Sequence, residues 1–253
     1  MQSYRVWDNA SIRLHDLPGC GPPIVFIHGL GCASSSDYVE VAAQEPLADR
    51  RRILIDLLGA GFSDAPSAFS YSVEDHARYI AHLVKSIGAP VILFGHSFGG
   101  PIAIVAATLE REFISNLVLG EPNLDPGGGS VSRRIAAMSE EQFVCEGCRQ
   151  LAAERAAAGA DAWASSLLAS DPRAIHRGAV SLVEGSSPTW RSLLLGLQIP
   201  RAVIFGQKSL PDPDVEALSA AGIPIELVSG AGHDMAIENP LGLATAIERC
   251  ARQ

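Results

Sequence analysis

The sequence predicts an α/β protein built on a mostly parallel sheet of eight strands. Short apolar runs rich in branched side chains recur along the 253 residues, and helical patterns separate most of them, which is typical of repeated β-α-β units. Nearly every position of these runs is apolar, as in strands that are buried on both faces of a sheet.

The predicted elements follow one another in a regular order. The opening segments YRVWD and SIRLHDL are predicted to form two antiparallel strands. Six buried strands are then predicted at 24–27, 53–56, 91–94, 116–119, 202–205 and 225–228. Helices are predicted near 72–87, 99–111, 212–221 and 236–251.

The alternation of strands and helices stops between about Asn123 and Gly196. This stretch is rich in Ala, Ser, Glu and Arg and contains no convincing strand pattern. An all-helical insertion between two strands is typical of a lid and not of a second nucleotide-binding unit. We therefore predict a core of residues 1–122 and 197–253, with a helical lid at 123–196.

Composition and charge restrict the class of partner. Hydrophobic residues make up 47% of the chain, which is ample for the core of one large domain. The formal net charge is -9, and the longest basic run is the three arginines at 50–52. These features argue against nucleic acid or an anionic membrane as the main partner. A small-molecule substrate is expected instead.

The lack of a secretory signal pattern and the spacing of the cysteines predict a cytoplasmic protein without a metal. The first residues lack the apolar segment of a secretory signal, and no apolar stretch approaches the roughly 18 residues that a membrane span needs. The five cysteines are expected to be free thiols. Cys145 and Cys148 have the spacing of half a zinc site, but no second pair accompanies them. We predict no metal and no cofactor.

The stretch VILFGHSFGG at 91–100 predicts a nucleophile. It reads as a strand, a tight turn and the start of a helix, and it contains the pattern G-x-S-x-G around Ser97. A nucleophile on such a turn has strained backbone geometry, so the flanking positions must be glycine or very small, and Gly95 and Gly99 occupy them. The following helix directs its positive end at developing negative charge.

Two further glycine-containing loops supply partners for Ser97. FIHGLG at 26–31 follows a strand, and the backbone amides of Leu30 and Phe98 are predicted to form an oxyanion hole. His28 is expected to hydrogen-bond its own loop and not to be catalytic. GAGHDM at 230–235 follows the last strand, and His233 is the predicted general base.

Together these motifs resemble the α/β-hydrolase family, in its serine-nucleophile branch of esterases and lipases. FIHGLG, DLLGAGFSDAP, GHSFGG and GAGHDM stand in the family's order and at its usual spacings. The resemblance implies an α/β-hydrolase fold, in which a doubly wound sheet carries a helical lid over a pocket at the C-terminal edge of the strands. It also implies a Ser-acid-His triad in that chain order.

The resemblance further implies what two aspartates and the nucleophile do. Asp56 and Asp64 are expected to stabilise a turn and not to take part in catalysis. Family members that cleave epoxides or carbon–halogen bonds use Asp as the nucleophile, so that Ser97 makes both activities unexpected here.

The spacing of the motifs does not by itself identify the acid of the triad. The family usually places it three residues beyond a glycine after the strand at 202–205, where Ser209 stands in this chain. Asp212 and Asp214 are nearby alternatives, but Asp212 precedes Pro213 as a helix N-cap would, and Asp214 suits the first turn of that helix.

The family sometimes keeps its acid after the preceding strand instead. There, Glu121 follows NLVLG directly, and a carboxylate at that position can reach the far nitrogen of a histidine on the last loop. We predict Glu121 as the acid, with Asp212, Asp214 and Asp125 as the alternatives. All predicted catalytic groups then lie outside the lid.

These residues lead to a functional hypothesis with several alternatives. The first is a serine hydrolase that cleaves carboxylic esters of small to medium apolar acyl groups through an acyl-enzyme intermediate. Similar family members hydrolyse thioesters, lactones or a carbon–carbon bond of a diketone, and no residue here separates these reactions. A slow-turnover ligand-binding receptor on the same fold, or a cofactor-free oxygenase, are further alternatives.

Overall fold

The computed structural model describes residues 1–252 and contains the eight predicted strands in one sheet. The strands are β1 (Gln2–Trp7), β2 (Ala10–Leu17), β3 (Gly21–Ile27), β4 (Arg50–Asp56), β5 (Val91–His96), β6 (Ile114–Gly120), β7 (Arg201–Gly206) and β8 (Ile225–Val228). Their spatial order is β1-β2-β4-β3-β5-β6-β7-β8. Strands β1 and β2 are antiparallel to their neighbours, and the other six run parallel. The predicted fold class is confirmed.

Helices connect the strands and cover both faces of the sheet. They are α1 (Ser34–Asp37), α2 (Val39–Ala42), α3 (Val73–Ser86), α4 (Gly99–Leu109), α5 (Ser130–Ala136), α6 (Glu140–Gln142), α7 (Cys148–Ala157), α8 (Asp161–Leu168), α9 (Pro172–Glu184), α10 (Trp190–Gly196), α11 (Pro213–Ala220), α12 (Met235–Glu238) and α13 (Pro240–Ala251). Short 3₁₀ turns lie at Glu45–Leu47, Arg111–Phe113 and Gln207–Ser209, and a π-helical turn lies at Phe143–Gly147. Within residues 1–252, no helix combines the length and the apolar character that crossing a membrane requires.

Strand β3 shows why the buried strands are apolar at successive positions. Side chains alternate between the two faces of a strand. Ile24 and Phe26 therefore belong to the core that α2 and α13 cover, whereas Val25 and Ile27 belong to the core under α3 and α4. All four are fully buried. The consequence is a rigid sheet whose C-terminal edge can hold functional groups in fixed positions.

The segment that joins β6 to β7 contains helices α5 to α10 and no strand. Much of it packs around its own apolar cluster, which includes Ile135, Phe143, Leu151, Leu167 and Ile175. Helix α10 differs, because Trp190 and Leu194 are fully buried in the main core.

Hydrogen bonds tie this segment to the core. The Asp171 amide donates to the Gly59 carbonyl at 2.8 Å, and the Val73 amide donates to the Ser181 hydroxyl at 3.1 Å. The helical content agrees with the insertion that the sequence predicts. The division into a core of 1–122 and 197–253 and a lid at 123–196 stays a prediction, and the segment is called the predicted lid below.

Candidate active site

Ser97 lies on a strained turn between β5 and α4. Its φ is +51°, in the left-handed region that a non-glycine residue rarely adopts. The backbone is closely packed on both sides, since a Cβ at Gly95 would lie 2.3 Å from the Gly99 carbonyl oxygen and a Cβ at Gly99 would lie 2.4 Å from that of Ile27. The Ser97 amide donates to the Gly120 carbonyl at 2.9 Å, which holds the turn against β6. The structure therefore has the tight strand-to-helix turn that the sequence predicts around Ser97, and this turn at 95–99 is called the elbow below.

The structure brings Glu121 and His233 together. Glu121 Oε2 and His233 Nδ1 are 2.6 Å apart, and the Gly206 amide donates to Glu121 Oε1 at 2.8 Å. Glu121 itself has a φ of +38°, and its amide donates to the Ile204 carbonyl at 3.0 Å. Because a carboxylate only accepts hydrogen bonds, Nδ1 carries a proton, and in the neutral imidazole Nε2 is then the acceptor.

The environment keeps this pair in the state that a general base requires. Burial raises the pKa of Glu121, but hydrogen bonds from His233, Ser209 and the Gly206 amide outweigh burial, so that its pKa is lowered. Partial desolvation of the half-exposed imidazole lowers the pKa of His233, but the hydrogen bond and charge of Glu121 outweigh it and raise the pKa. The Glu121 side chain is 11% exposed and that of His233 is 51% exposed, so the carboxylate is sheltered and the imidazole is accessible.

The alternative acids make other contacts. The Asp212 side chain caps α11 by accepting from the Asp214 amide at 2.8 Å, as the sequence suggests. Asp214 and Asp125 both form ion pairs with Arg191. Within residues 1–252, none of the three forms a hydrogen bond or ion pair with His233.

Ser97, His233, Glu121 and Leu30 line one cavity of about 430 Å³. Its other lining residues are His96 of β5 and residues of three segments, which are the loop at 29–32 (the glycine loop below), the last loop and the predicted lid. Within residues 1–252, no hydrogen bond joins the Ser97 hydroxyl to His233. Such nucleophile–base contacts are often loose until substrate binds.

His96, inside the elbow, is a site residue that the sequence did not indicate. Its Nε2 lies 3.0 Å from the His233 carbonyl oxygen, and the two imidazole rings are 4.7 Å apart. Burial, and then the charge of His233, lower the pKa of His96 to about 3. A neutral His96 can donate to the His233 carbonyl and hold the last loop without repelling a protonated His233. Its partner is 137 residues away, beyond the range of any local pattern.

Trp163 of α8 is a second residue of the site; the sequence offers it as lining a pocket or packing helices and favours packing. Its indole N–H donates to the Leu30 carbonyl at 3.1 Å. Nearby, Gly178 of α9 lies against the side chains of Leu30 and Phe98, since a Cβ there would be 3.0 Å and 3.2 Å from them. The predicted lid thus contacts both residues whose amides the sequence assigns to an oxyanion hole.

His28 and Asp56 have structural contacts. His28 Nδ1 lies 2.8 Å from the Gly29 carbonyl oxygen, and the Leu57 amide donates to its Nε2 at 3.0 Å. Burial lowers the pKa of His28. Asp56 accepts from the amides of Ser35 and Phe62 at 2.9 Å and 3.0 Å. Both side chains hold loops in place, as expected.

Cys145 and Cys148 lie at the start of the α7 region. Cys145 is exposed and Cys148 is buried. Within residues 1–252, no group of three or more His, Cys, Asp or Glu side chains is arranged to hold a metal ion.

The mostly parallel sheet and the strained turn at Ser97 define the class of fold to which this chain belongs. Residues 24–246 match the model of the alpha/beta hydrolase family, and this chain belongs to that family.

Sequence relatives in the family have varied activities. Haloalkane dehalogenase 2 of Mycobacterium tuberculosis is 35% identical over 119 residues, which are 46% of this chain and 41% of that protein. The 2-hydroxymuconate semialdehyde hydrolase of Pseudomonas putida is 36% identical over 111 residues, which are 42% of this chain and 38% of that protein. This chain thus spans about two-fifths of the length of these curated relatives.

Solved structures of the same fold cover the whole chain. An esterase from Thermogutta terrifontis has a TM-score of 0.83 at 22% identity and covers 100% of this chain and 98% of its own. The enol-lactonase from Burkholderia xenovorans has a TM-score of 0.81 at 19% identity and covers 100% of both chains. At this level of identity the likeness is one of fold.

Proposed function

We propose that this chain is a serine hydrolase that cleaves carboxylic esters of small to medium apolar acyl groups. The observation that carries the proposal is the 2.6 Å contact between Glu121 and His233 in the cavity that Ser97 lines. A nucleophile, a base and an acid that orients the base are the minimum set for acyl transfer through an activated serine.

In the proposed reaction, the Ser97 hydroxyl attacks the ester carbonyl while His233 Nε2 takes its proton. The tetrahedral intermediate collapses, and the alcohol leaves with that proton from His233. Water then attacks the acyl-enzyme, again losing a proton to His233, and the carboxylic acid is released as Ser97 recovers its proton. Glu121 stays ionised throughout and stabilises the imidazolium.

The amides of Leu30 and Phe98 are proposed to bind the oxyanion of the tetrahedral intermediate. Phe98 immediately precedes α4, where the first amides of a helix have no partner within the helix. Donors that are already oriented stabilise the developing charge without reorganisation, and each typically contributes about 10²–10³ in rate.

The size and lining of the cavity support the acyl preference. Its volume of about 430 Å³ lies at the lower end of the range for small-molecule sites. Leu30, Val131, Leu182 and Trp163 give it apolar surface beside the Ser97 hydroxyl.

A second candidate is hydrolysis of a carbon–carbon bond, as in a diketone. It is favoured by the similarity to the 2-hydroxymuconate semialdehyde hydrolase of Pseudomonas putida. The similarity to a haloalkane dehalogenase does not extend the proposal to dehalogenation, because the position of the nucleophile is Ser97 and not a carboxylate.

The first test is covalent labelling by a neutral organophosphonate together with turnover of p-nitrophenyl esters of increasing chain length. We expect labelling at Ser97, loss of labelling in His233→Ala, and a fall of several orders of magnitude in ester turnover in Ser97→Ala with an unchanged circular dichroism spectrum. An active Ser97→Ala variant, or labelling at another serine, contradicts the mechanism. Turnover of a diketone and not of the esters selects the second candidate.

A further inference from the structure

Arg155 of α7 is a cation in the cavity that the proposed mechanism does not use. It lines the same cavity as Ser97 and His233. Its guanidinium carbon lies 5.2 Å from the centre of the Trp163 ring, which is a cation–π contact. Its Nε is buried and has no hydrogen-bond partner within residues 1–252.

Two other arginines of the predicted lid, Arg133 and Arg149, donate to backbone carbonyls, and four more have carboxylate partners. These ion pairs are Arg134–Glu154, Arg173–Asp171, Arg177–Glu140 and Arg191–Asp125. The chain has 28 acidic and 19 basic residues, so acidic partners are in excess. Within residues 1–252, Arg155 nevertheless forms no ion pair. Among the seven arginines of the predicted lid, Arg155 thus differs in that it lines the cavity and, in the part of the chain that the structure describes, has neither a carboxylate nor a carbonyl partner.

The cation–π contact with Trp163 suits Arg155 to one kind of ligand. The contact with the indole limits the movement of the guanidinium, whose planar fork of donors matches the two oxygens of a carboxylate. Trp163 is itself held by its hydrogen bond to the Leu30 carbonyl. The cavity therefore has Ser97 at one place and, at another, a guanidinium that has no ion-pair partner within residues 1–252.

We propose that Arg155 binds a carboxylate that the ester substrate carries in addition to the bond that is cleaved. The substrates are then half-esters of dicarboxylic acids, or esters whose alcohol part bears a carboxylate, with an apolar middle part in the cavity. This inference rests on the proposed function, because Ser97 chemistry is what makes the cavity an active site.

The test compares matched pairs of esters in which only the charge differs. One pair is p-nitrophenyl hydrogen glutarate and its methyl ester, with the carboxylate on the acyl side. In the other pair, an acyl group is esterified to the hydroxyl of 4-hydroxybenzoate, which leaves a free carboxylate on the alcohol side. Its neutral partner has the same acyl group and a methyl ester in place of that carboxylate. The measured quantity is the ratio of kcat/KM for the charged ester to that for the neutral ester.

We expect the intact protein to prefer the charged ester of one pair, and the pair identifies which side of the substrate faces Arg155. In Arg155→Gln this ratio should fall by about 10- to 100-fold, as for the loss of a hydrogen bond to a charged group. Arg155→Lys keeps the charge but loses the planar fork of donors, so its ratio should lie between that of the intact protein and that of Arg155→Gln. Arg149→Gln removes the same charge from an exposed position of α7, and it should keep the ratio of the intact protein.

Two results would overturn the inference. One is an intact protein that prefers the neutral ester in both pairs or does not distinguish them. The other is an Arg155→Gln variant, folded by circular dichroism, that keeps the preference for the charged ester. Labelling of Ser97 in the intact protein separates these results from a failure of the proposed function, because the organophosphonate is neutral and tests the nucleophile alone.

Discussion

Replacement of Glu121 by Gln tests the acid of the proposed triad at the level of single atoms. The Gly206 amide donates to Glu121 Oε1 at 2.8 Å, so the oxygen of a Gln side chain should keep that place. The amide nitrogen of Gln then faces His233 Nδ1, where the carboxylate oxygen lay at 2.6 Å. An NH₂ group can only donate, so His233 must accept at Nδ1 and carry its proton on Nε2. That tautomer cannot take the proton of Ser97.

The magnitude follows from these contacts. Loss of one hydrogen bond to a charged group alone costs about 1.5–3 kcal/mol, or roughly 10- to 150-fold in rate. The wrong tautomer in a triad costs about 10⁴ in turnover. Gly206 selects the unfavourable orientation of the Gln amide, which brings the expected loss close to that of the wrong tautomer. Because His233 is half exposed, water can partly stabilise it and limit the loss. We therefore expect kcat to fall by about 10³–10⁴.

The assay is kcat on one good p-nitrophenyl ester, with circular dichroism to verify folding. Asp212→Asn and Asp214→Asn are the matched controls, because each removes one negative charge near the usual position of the family's acid. Asn caps a helix nearly as well as Asp, and the Asp214–Arg191 ion pair is partly exposed, so both controls should keep near-native kcat. Near-native kcat in Glu121→Gln beside a large fall in either control would refute the Glu121 assignment.

The other predictions concern pH and the contact of the predicted lid with the glycine loop. The pKa of His233 is raised, and a general base must be neutral to take a proton. We therefore expect kcat/KM to fall with decreasing pH, with a midpoint above the ordinary histidine pKa of about 6.5. A midpoint below that value contradicts the Glu121–His233 coupling. Trp163→Phe keeps an aromatic ring but removes the donor to the Leu30 carbonyl, so kcat should fall by about two- to tenfold while KM for a neutral ester changes little. An unchanged kcat, measured beside an unchanged urea midpoint, shows that Trp163 does not position Leu30.

The parts of the site that the sequence predicts are those whose physical cause lies within a few residues. Gly95 and Gly99 flank a serine whose strained turn needs them, and Asp212 with Pro213 begins a helix by local rules. Glu121 could be placed because the end of a strand and the start of the next segment define its position. Six of the eight strands followed from apolar runs in the same way.

The remaining features depend on contacts between distant segments. Trp163 and Leu30 are 133 residues apart, and no periodicity in α8 distinguishes a tryptophan that donates to a loop from one that packs a helix. The sequence shows Ser209 as a departure from the usual acid, but not that Ser209 helps to keep Glu121 ionised. Likewise, only the folded arrangement of α7 and α8 distinguishes Arg155 from the other arginines of this segment.

The hydrogen bond from Trp163 to Leu30 limits how independently the parts of this molecule can be exchanged. An insertion of this kind is an interchangeable module only if it changes the substrate and leaves the chemistry untouched. Here a side chain of the insertion supports the peptide next to the proposed oxyanion hole. A transplanted insertion would need a hydrogen-bond donor to the Leu30 carbonyl at the same point in space. An insertion without such a donor is expected to change the catalytic rate together with the substrate range.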